Sequence, residues 1–492
     1  MGSVFLLYRT FDFGTQCTMR KMLAGVAIAA LSVPAALAQT PTGTMGALSP
    51  DQQAFRGLYK ELVETNTTLS SGSCTLAAER MAARLRGAGL SDGQLTLFST
   101  PEHPKEGGLV AVYPGTSKSA KPILANAHLD VVEAKAEDWT RDPFTLIEEG
   151  GYFYARGAYD DKAMAAALVD TLIRFQQTGY KPRRTVKIAL TCGEETNGAF
   201  NGAQWLTENR RELIDAEFAL NEGGGGDSDG KGNVLGQSVQ VGEKTFATYR
   251  LETRNRGGHS SVPRSDNAIY QLARALTKLE AHEFPVEFTD TTRTYFREAG
   301  AGRKNAIGAA MVALAANPAD KAAETKVNTE PFLHSNLRTT CVATMLDGGH
   351  ARNALAQRAG AFVNCRIFPG HLVEAIRTEL AAIIGDPGVT VSVLAPLRPS
   401  PPAPPLKPKI IDPMKRIAAK YFPGIPVVPV MANGYTDATF LGAVGIPTYG
   451  IPGSWGDPDG NGVHGLNERI EARSLYVGRD YLFDLVKALA GH

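Results

Sequence analysis

Apolar residues recur at three- and four-residue spacing over Asp51–Val63 and again over Cys74–Gly87, the second run closing on Gly87-Ala-Gly. Both stretches therefore read as amphipathic helices. Short apolar runs follow at Leu95–Phe98, Gly108–Tyr113, Pro122–Ala127, Thr185–Thr191 and Glu217–Leu220. Their length and flanking turn residues mark them as strands. Between the third and fourth, Asp161–Thr178 reads as a helix with a nearly continuous Ala, Leu, Met and Ile face. Strand, helix and strand in succession predict an α/β fold, with a mostly parallel sheet wrapped by helices.

The pattern changes after Val241. Thr245–Arg254 alternates as a half-exposed strand does, Asp266–Glu280 is an amphipathic helix, Thr339–Met345 and Gly360–Ile367 are strands, Leu372–Ile384 a helix and Val389–Leu394 a last strand. The order βαββαβ is ferredoxin-like and predicts a small domain inserted into the first. Residues 284–336 form an Ala-rich helical insertion within it, and the proline run from Pro399 to Pro408 is a stiff connector back to the first domain. The return comprises a helix at Asp412–Tyr421, a strand at Val427–Met431, a loop from Ala432 to Asp437 and a terminal helix at Glu471–Ala490. The domains so read are 39–244 and 397–492 for the larger unit and 245–396 for the inserted one.

Composition adds an address and removes one class of partner. Met19-Arg20-Lys21, an uncharged run from Met22 and the close on Ala36-Leu37-Ala38 have the three parts of a secretory signal peptide. A membrane anchor is the competing reading, but the run is short for a span and Pro34 interrupts it. Residues 1–38 are thus a leader with its start at Met19 and cleavage after Ala38, and the expected location is periplasmic or secreted. The formal charge is +1 over the chain; without the leader it is −1, from 48 basic and 49 acidic residues. With no basic stripe, nucleic acid is not an expected partner. Cys74, Cys192, Cys341 and Cys365 remain after cleavage in no zinc-thiolate spacing, so buried or free thiols are expected first. Export would permit a disulfide between Cys341 and Cys365 on neighbouring strands.

Four clusters of metal-type side chains sit at or just beyond strand ends, where open α/β sheets collect their chemistry. They are His128-Leu-Asp130, Asp160-Asp161, Glu194-Glu195 and Glu222 ahead of four glycines; His464 follows later in Gly462-Val-His-Gly-Leu-Asn-Glu468. Taken singly, each has a plain reading: a buried salt link, a helix N-cap pair, solvated charge. Their joint arrival overturns that, and one imidazole among several carboxylates suits divalent cations, zinc favoured by the histidine. Adjacent glutamates allow one to ligate while its neighbour moves a proton from metal-activated water to the leaving amine.

These residues, with Gly157-Ala-Tyr-Asp160-Asp161-Lys162, Asn221-Glu222-Gly223, Gly257-Gly-His259-Ser-Ser-x-Pro263 and Arg366-x-x-Pro369-Gly370, resemble in order the motifs of the dizinc metallopeptidases, the family of carboxypeptidase G, acetylornithine deacetylase, succinyl-diaminopimelate desuccinylase and aminoacylase. His128-Leu-Asp-Val-Val and Gly258-His-Ser-Ser look closest to the carboxypeptidase S and N-acyl-amino-acid hydrolase branch. The resemblance implies two Zn2+ per subunit, replaceable by Co2+ or Mn2+, with Asp160 shared between them. His128 and Glu222 would complete one site, and Glu195 and His464 the other. Asp130 would orient His128, and Glu194 would be the general acid/base. His259 matches a lid histidine that, in family dimers, reaches the partner subunit's active site, and Arg366 matches an arginine for the substrate carboxylate; Arg398 and Asn353 are weaker candidates. Ala163 stands where the family usually has Gly, and Glu133 where a proline is common, but neither removes a ligand.

The expected activity is hydrolysis of an amide or peptide bond beside a free carboxylate, on a small peptide or N-acyl-amino acid, by a homodimer joined through the lid. A dizinc aminopeptidase is the enzymatic rival, disfavoured by the inserted domain with its Gly-Gly-His and Arg366. A non-catalytic zinc or peptide binder is the other, disfavoured by Glu194, which a pure binder does not need.

Overall fold

The computed structural model describes residues 46–196 and 198–491, so the leader read at 1–38 lies outside it. The elements used below are α1 (Pro50–Val63), α2 (Cys74–Gly87), β1 (Leu95–Thr100), β2 (His103–Tyr113), β3 (Ile123–His128), α3 (Lys162–Gln177), β4 (Val186–Thr191), α4 (Gly202–Asn209), β5 (Ala219–Asn221), β6 (Gly224–Ser228), β7 (Val234–Glu243), β8 (Thr245–Arg254), β9 (Gly258–His259) and α5 (Ala268–Glu280). The insertion supplies α6 (Asp290–Gly302), α7 (Ala306–Ala316), α8 (Lys321–Val327) and α9 (Pro331–Ser335). Then come β10 (Thr340–Gly348), β11 (Ala354–Leu355), β12 (Arg358–Ile367), α10 (Val373–Ile384), β13 (Val389–Val393), α11 (Pro408–Tyr421), β14 (Val427–Ala432), β15 (Thr448–Gly450), β16 (Trp455–Gly456) and α12 (Ala472–Ala490).

The large sheet runs β1-β2-β4-β3-β5-β15-β7-β6-β16, with β14 on β7. Its centre, β4-β3-β5-β15, is parallel, while β1-β2, β2-β4, β15-β7 and β6-β7 pair antiparallel, so the sheet as a whole is mixed. The parallel strands read as unbroken apolar runs because β3 and β4 are buried along their whole length, as strands covered on both faces must be. On one face α1, α2, α3 and α12 share a core around Tyr59, Leu62, Met81, Leu168, Leu172 and Leu485. On the other, Leu206 of α4 and Leu441 pack against Val110, Leu124 and Ala189.

The second sheet, β10-β12-β8-β13, is antiparallel throughout and has the ferredoxin-like order. Burial alternates strictly along Thr245–Thr253 of β8. Its buried side packs Tyr249, Leu251 and Val363 under Leu272 of α5 and Leu380 of α10, and its open side presents Phe246 opposite Arg366. Helices α6 to α9 enclose a small core of their own around Phe296, Met311, Leu314, Val327 and Leu333. Asn336 Nδ2, just after α9, reaches Asn433 Oδ1 at 3.3 Å across to the larger unit. The β6–β7 hairpin escapes the sequence pattern, since its Gly-rich first strand carries almost no apolar signal.

The sequence favours buried or free thiols and permits one pair, Cys341 with Cys365; the structure forms that pair and also joins Cys74 to Cys192. The second pair is invisible to spacing arguments, because it joins the start of α2 to the residue after β4 across 118 positions. Closing so long a loop removes on the order of 4–5 kcal/mol of unfolded-state entropy. The Cys74→Ser/Cys192→Ser variant is therefore expected to lose about 2–5 kcal/mol in denaturant titration, and an unshifted midpoint would refute that.

Candidate active site

The ends of the parallel strands bring the chemistry together. His128 is the last residue of β3, Glu194 and Glu195 follow β4 by three and four residues, Glu222 directly follows β5, and Asp160 precedes α3. His464 arrives from the loop after β16 in the left-handed region at φ 58°. For a non-glycine residue this is a strained conformation that surroundings must hold in place.

Asp160 lies at the middle. Its Oδ1 is 3.1 Å from His128 Nε2 and its Oδ2 is 3.2 Å from His464 Nε2. Glu222 Oε1 stands 3.7 Å from His128 Nε2, and Glu195 Oε2 stands 2.9 Å from His464 Nε2. All five sequence-predicted ligands thus converge, and they do so as two donor groups sharing one carboxylate. The fit to cations is chemical as well as geometric. Burial pushes the carboxyls of Glu222 and Glu194 well above the usual range, other carboxylates adding to it. His464 is pushed up to about 10 by its hydrogen bonds to Asp160 and Glu195. Burial opposes a charge on His128, but Glu222, Asp130 and Asp160 outweigh it and raise its pKa. Acids and imidazoles so crowded make a donor set that divalent cations would satisfy.

Asp130 acts in two directions. Its main-chain oxygen lies 3.0 Å from His128 Nδ1 and its Oδ1 3.6 Å away, which leaves Nε2 aimed at the shared site. Its carboxylate accepts the backbone N–H groups of Glu194 (3.3 Å) and Glu195 (3.0 Å), fixing the loop that carries both glutamates. Neither glutamate is solvated charge: both side chains are buried. Asp161 makes no N-cap hydrogen bond to α3; instead it accepts from the backbone N–H of His128 at 3.3 Å.

Other roles escape sequence reasoning. Glu468, fully buried, accepts from Arg156 Nη1 (2.8 Å) and from the backbone N–H groups of Gly157 (2.9 Å), Tyr159 (2.9 Å) and Asp160 (3.0 Å), so it shapes the Asp160 loop. Its place four residues after His464 was the available signal. Beneath the site Asp437 accepts from Asn201 Nδ2 and Thr191 Oγ1, both at 2.8 Å. Glu243 accepts from Thr436 Oγ1 (2.9 Å) and Gln240 Nε2 (3.1 Å).

Burial pushes Glu243 up to about 8. Between its unfolded value near 4.5 and about 8 the folded chain keeps a proton that the unfolded chain releases, so Glu243 costs stability as pH rises through that window. Glu243→Gln keeps an acceptor and removes the cost. It is expected to raise the unfolding free energy from denaturant titration at pH 8 by on the order of 2–4 kcal/mol, and to change it little at pH 4.5; equal shifts at both would contradict this.

Of the remaining candidates, His259, Asn353 and Arg366 belong to the β8–β13 portion of the chain, and Arg398 follows it. His259 is exposed on β9, paired with Ala354 of β11, and its Nδ1 is 2.7 Å from Ser261 Oγ. Asn353 is exposed beside it, its carbonyl accepting from Ser260 N at 3.0 Å. Among the described residues no hydrogen bond or ion pair joins either to the five ligands. Arg366 is half-buried on the open face of the lid sheet, 5.4 Å over the Phe246 ring, and burial lowers its pKa. Arg398 stacks 3.8 Å over the Tyr435 ring and donates to its hydroxyl at 2.7 Å.

A mixed α/β sheet with carboxylates and histidines gathered at its parallel strand ends defines a hydrolase of the metallopeptidase type. Residues 124–488 match the model of peptidase family M20/M25/M40, and the chain belongs to that family, whose members hydrolyse amide and peptide bonds. It is 28% identical over 382 residues to the human N-fatty-acyl-amino acid synthase/hydrolase PM20D1, covering 76% of this chain and 75% of that one. It is 28% identical over 388 residues to the probable carboxypeptidase S-like 2 of Dictyostelium discoideum, covering 77% and 74%. The fold matches the M20 family metallo-carboxypeptidase Sso-CP2 of Sulfolobus solfataricus with a TM-score of 0.65 at 19% identity, over 90% of this chain and all of that one. The YXEP protein of Bacillus subtilis, a dinuclear metal-binding peptidase of the same family, matches with a TM-score of 0.55 at 12% identity, over 88% and 97%.

Proposed function

We propose that the protein is a dizinc hydrolase of N-acyl-amino acids or small peptides that cleaves the amide bond next to a free carboxylate. The observation that carries this is Asp160, with one oxygen facing His128 and the other facing His464. His128, Asp160 and Glu222 would hold one cation, and Asp160, Glu195 and His464 the other. When bound, such cations acidify water and polarise a carbonyl.

The chain's own residues do the rest. Glu194, buried and without a place among the five ligands, takes the proton from the attacking water and delivers it to the leaving amine. Arg366, with no carboxylate within ion-pair distance among the described residues, anchors the substrate carboxylate in a fork. His259 is exposed and, among the described residues, has no hydrogen bond or ion pair to the five ligands, and on this reading it stabilises the oxyanion in the partner subunit's site.

The homodimer would form through the edge strand β10, whose Val342, Met345 and Leu346 are exposed. An open, apolar edge is a template for pairing with a second copy. Export to a periplasmic or extracellular location is supported by the two cysteine pairs, which an oxidising compartment sustains.

The names of PM20D1 and of the carboxypeptidase S-like relative favour the N-acyl-amino-acid and carboxypeptidase substrates over a free N-terminus. Assaying N-acyl-amino acids, dipeptides and amino-acid anilides side by side tests the proposal. Turnover of the first two is expected, and turnover of anilides alone would overturn it in favour of an aminopeptidase.

A further inference from the structure

Tyr435 stands in the loop after β14, and no reading of motifs gives it a task. Its hydroxyl donates to the main-chain oxygen of Glu194 at 2.9 Å and accepts from Arg398 Nη2 at 2.7 Å. Its ring lies 5.2 Å from that of Phe246 on the lid strand β8. Phe246 in turn carries the Arg366 guanidinium 5.4 Å above its centroid and that of Arg398 at 5.2 Å. A continuous stack therefore runs from the carboxylate anchor on the lid to the backbone of the general base, and Tyr435 is where it turns from ring contacts into a hydrogen bond.

We propose that Tyr435 is a positioning residue that couples occupancy of the carboxylate site at Arg366 to the placement of Glu194. The inference rests on the roles given to Glu194 and Arg366 above. Three features suit Tyr435 to it. The loop is pinned on both sides, by Asn336 Nδ2 to Asn433 at 3.3 Å and by Asn221 Nδ2 to Thr436 Oγ1 at 3.0 Å, so a push on the ring reaches its hydroxyl instead of being lost in movement of the loop. Burial keeps the phenol protonated, so its O–H remains a donor to the Glu194 carbonyl. The contact is to the main chain of Glu194, which shifts the whole side chain without competing for the carboxylate that moves the proton.

A substrate carboxylate drawn to Arg366 would displace the guanidinium on Phe246, and the stack would pass that displacement to Tyr435. Substrates with a free carboxylate are then favoured in kcat and not only in KM. The asparagine contact gives the helical insertion a part in the same device, since α9 ends one residue before Asn336.

Tyr435→Phe keeps the ring stack and removes the hydroxyl. On an N-acyl-amino acid the variant is expected to lose about tenfold in kcat, with KM changed by less than about twofold. On the matching carboxamide, which cannot engage Arg366, the fall in kcat is expected to be smaller, about threefold or less. Bound metal and Tm should be preserved. Phe246→Leu, which breaks the stack but leaves the hydroxyl, should also level kcat between acid and carboxamide, and in addition raise KM for the acid. Wild-type kcat in Tyr435→Phe, an equal fall on both substrates, or a fall that tracks lost metal each overturns the proposal. A wild-type protein inert on N-acyl-amino acids defeats the functional reading and this inference with it, whereas an active wild type with an unaltered Tyr435→Phe defeats the inference alone.

Discussion

Glu194→Gln is expected to lower kcat by about 10³-fold or more, while bound metal and Tm stay at wild-type levels. General acid–base groups contribute about 10²–10⁴-fold, and in the proposed function this carboxyl performs both halves of the proton transfer. Its setting explains the choice. Asp130 holds the N–H of Glu194 at 3.3 Å and Tyr435 holds its carbonyl at 2.9 Å, so its side chain is aimed by the backbone on both sides. Burial raises its carboxyl well above the usual range, with Asp437 and Glu195 adding to it, which suits a group that must hold a proton between two steps. Glutamine keeps the shape and cannot carry the proton. Near-normal turnover in the variant would place the base elsewhere, and a parallel loss of metal would make Glu194 a ligand instead.

Asp160→Ala should have the larger effect, with turnover falling to that of the buffer blank. Any other ligand serves one donor group, whereas Asp160 offers one oxygen at 3.1 Å from His128 Nε2 and the other at 3.2 Å from His464 Nε2. Removing it deprives both positions together and leaves two histidines facing a gap. The backbone of the loop is held independently by Glu468, which accepts from the N–H groups of Tyr159 and Asp160 at 2.9 and 3.0 Å, so the variant should still fold. His128→Ala is the informative contrast: it should weaken one metal position and spare the second. Retained activity in Asp160→Ala would show that no shared carboxylate is needed.

Much of this was legible in the chain because three of the parallel strands, β3, β4 and β5, are short apolar runs with metal-type side chains at or just beyond their ends. His128, Glu222 and the Glu194-Glu195 pair could be placed at one edge of a sheet from pattern alone. The alternation of Thr245–Thr253 and the order of the lid elements likewise follow from period-two and helical spacing. What could not be read depends on contacts between distant segments. The Cys74–Cys192 pair, the grip of Glu468 on the Asp160 loop and the link from Asn336 to Asn433 all join residues far apart in sequence, and no local period announces them. Tyr435 is of the same kind: the sequence shows it in a loop, but its importance lies in contacts with Glu194, Arg398 and Phe246 from other parts of the chain. His259 shows a different limit, since its side chain is exposed and, among the described residues, not hydrogen-bonded to the five ligands, and its task is defined only if a second subunit completes the site.

The most direct measurement is the metal content of the purified, metal-replete protein, by elemental analysis per chain, for the wild type and Asp160→Ala. Two equivalents in the wild type, falling to one or fewer in the variant together with activity, are expected. A fully active wild type that binds a single equivalent, or an Asp160→Ala protein that keeps two, would contradict a pair of cations held across one aspartate.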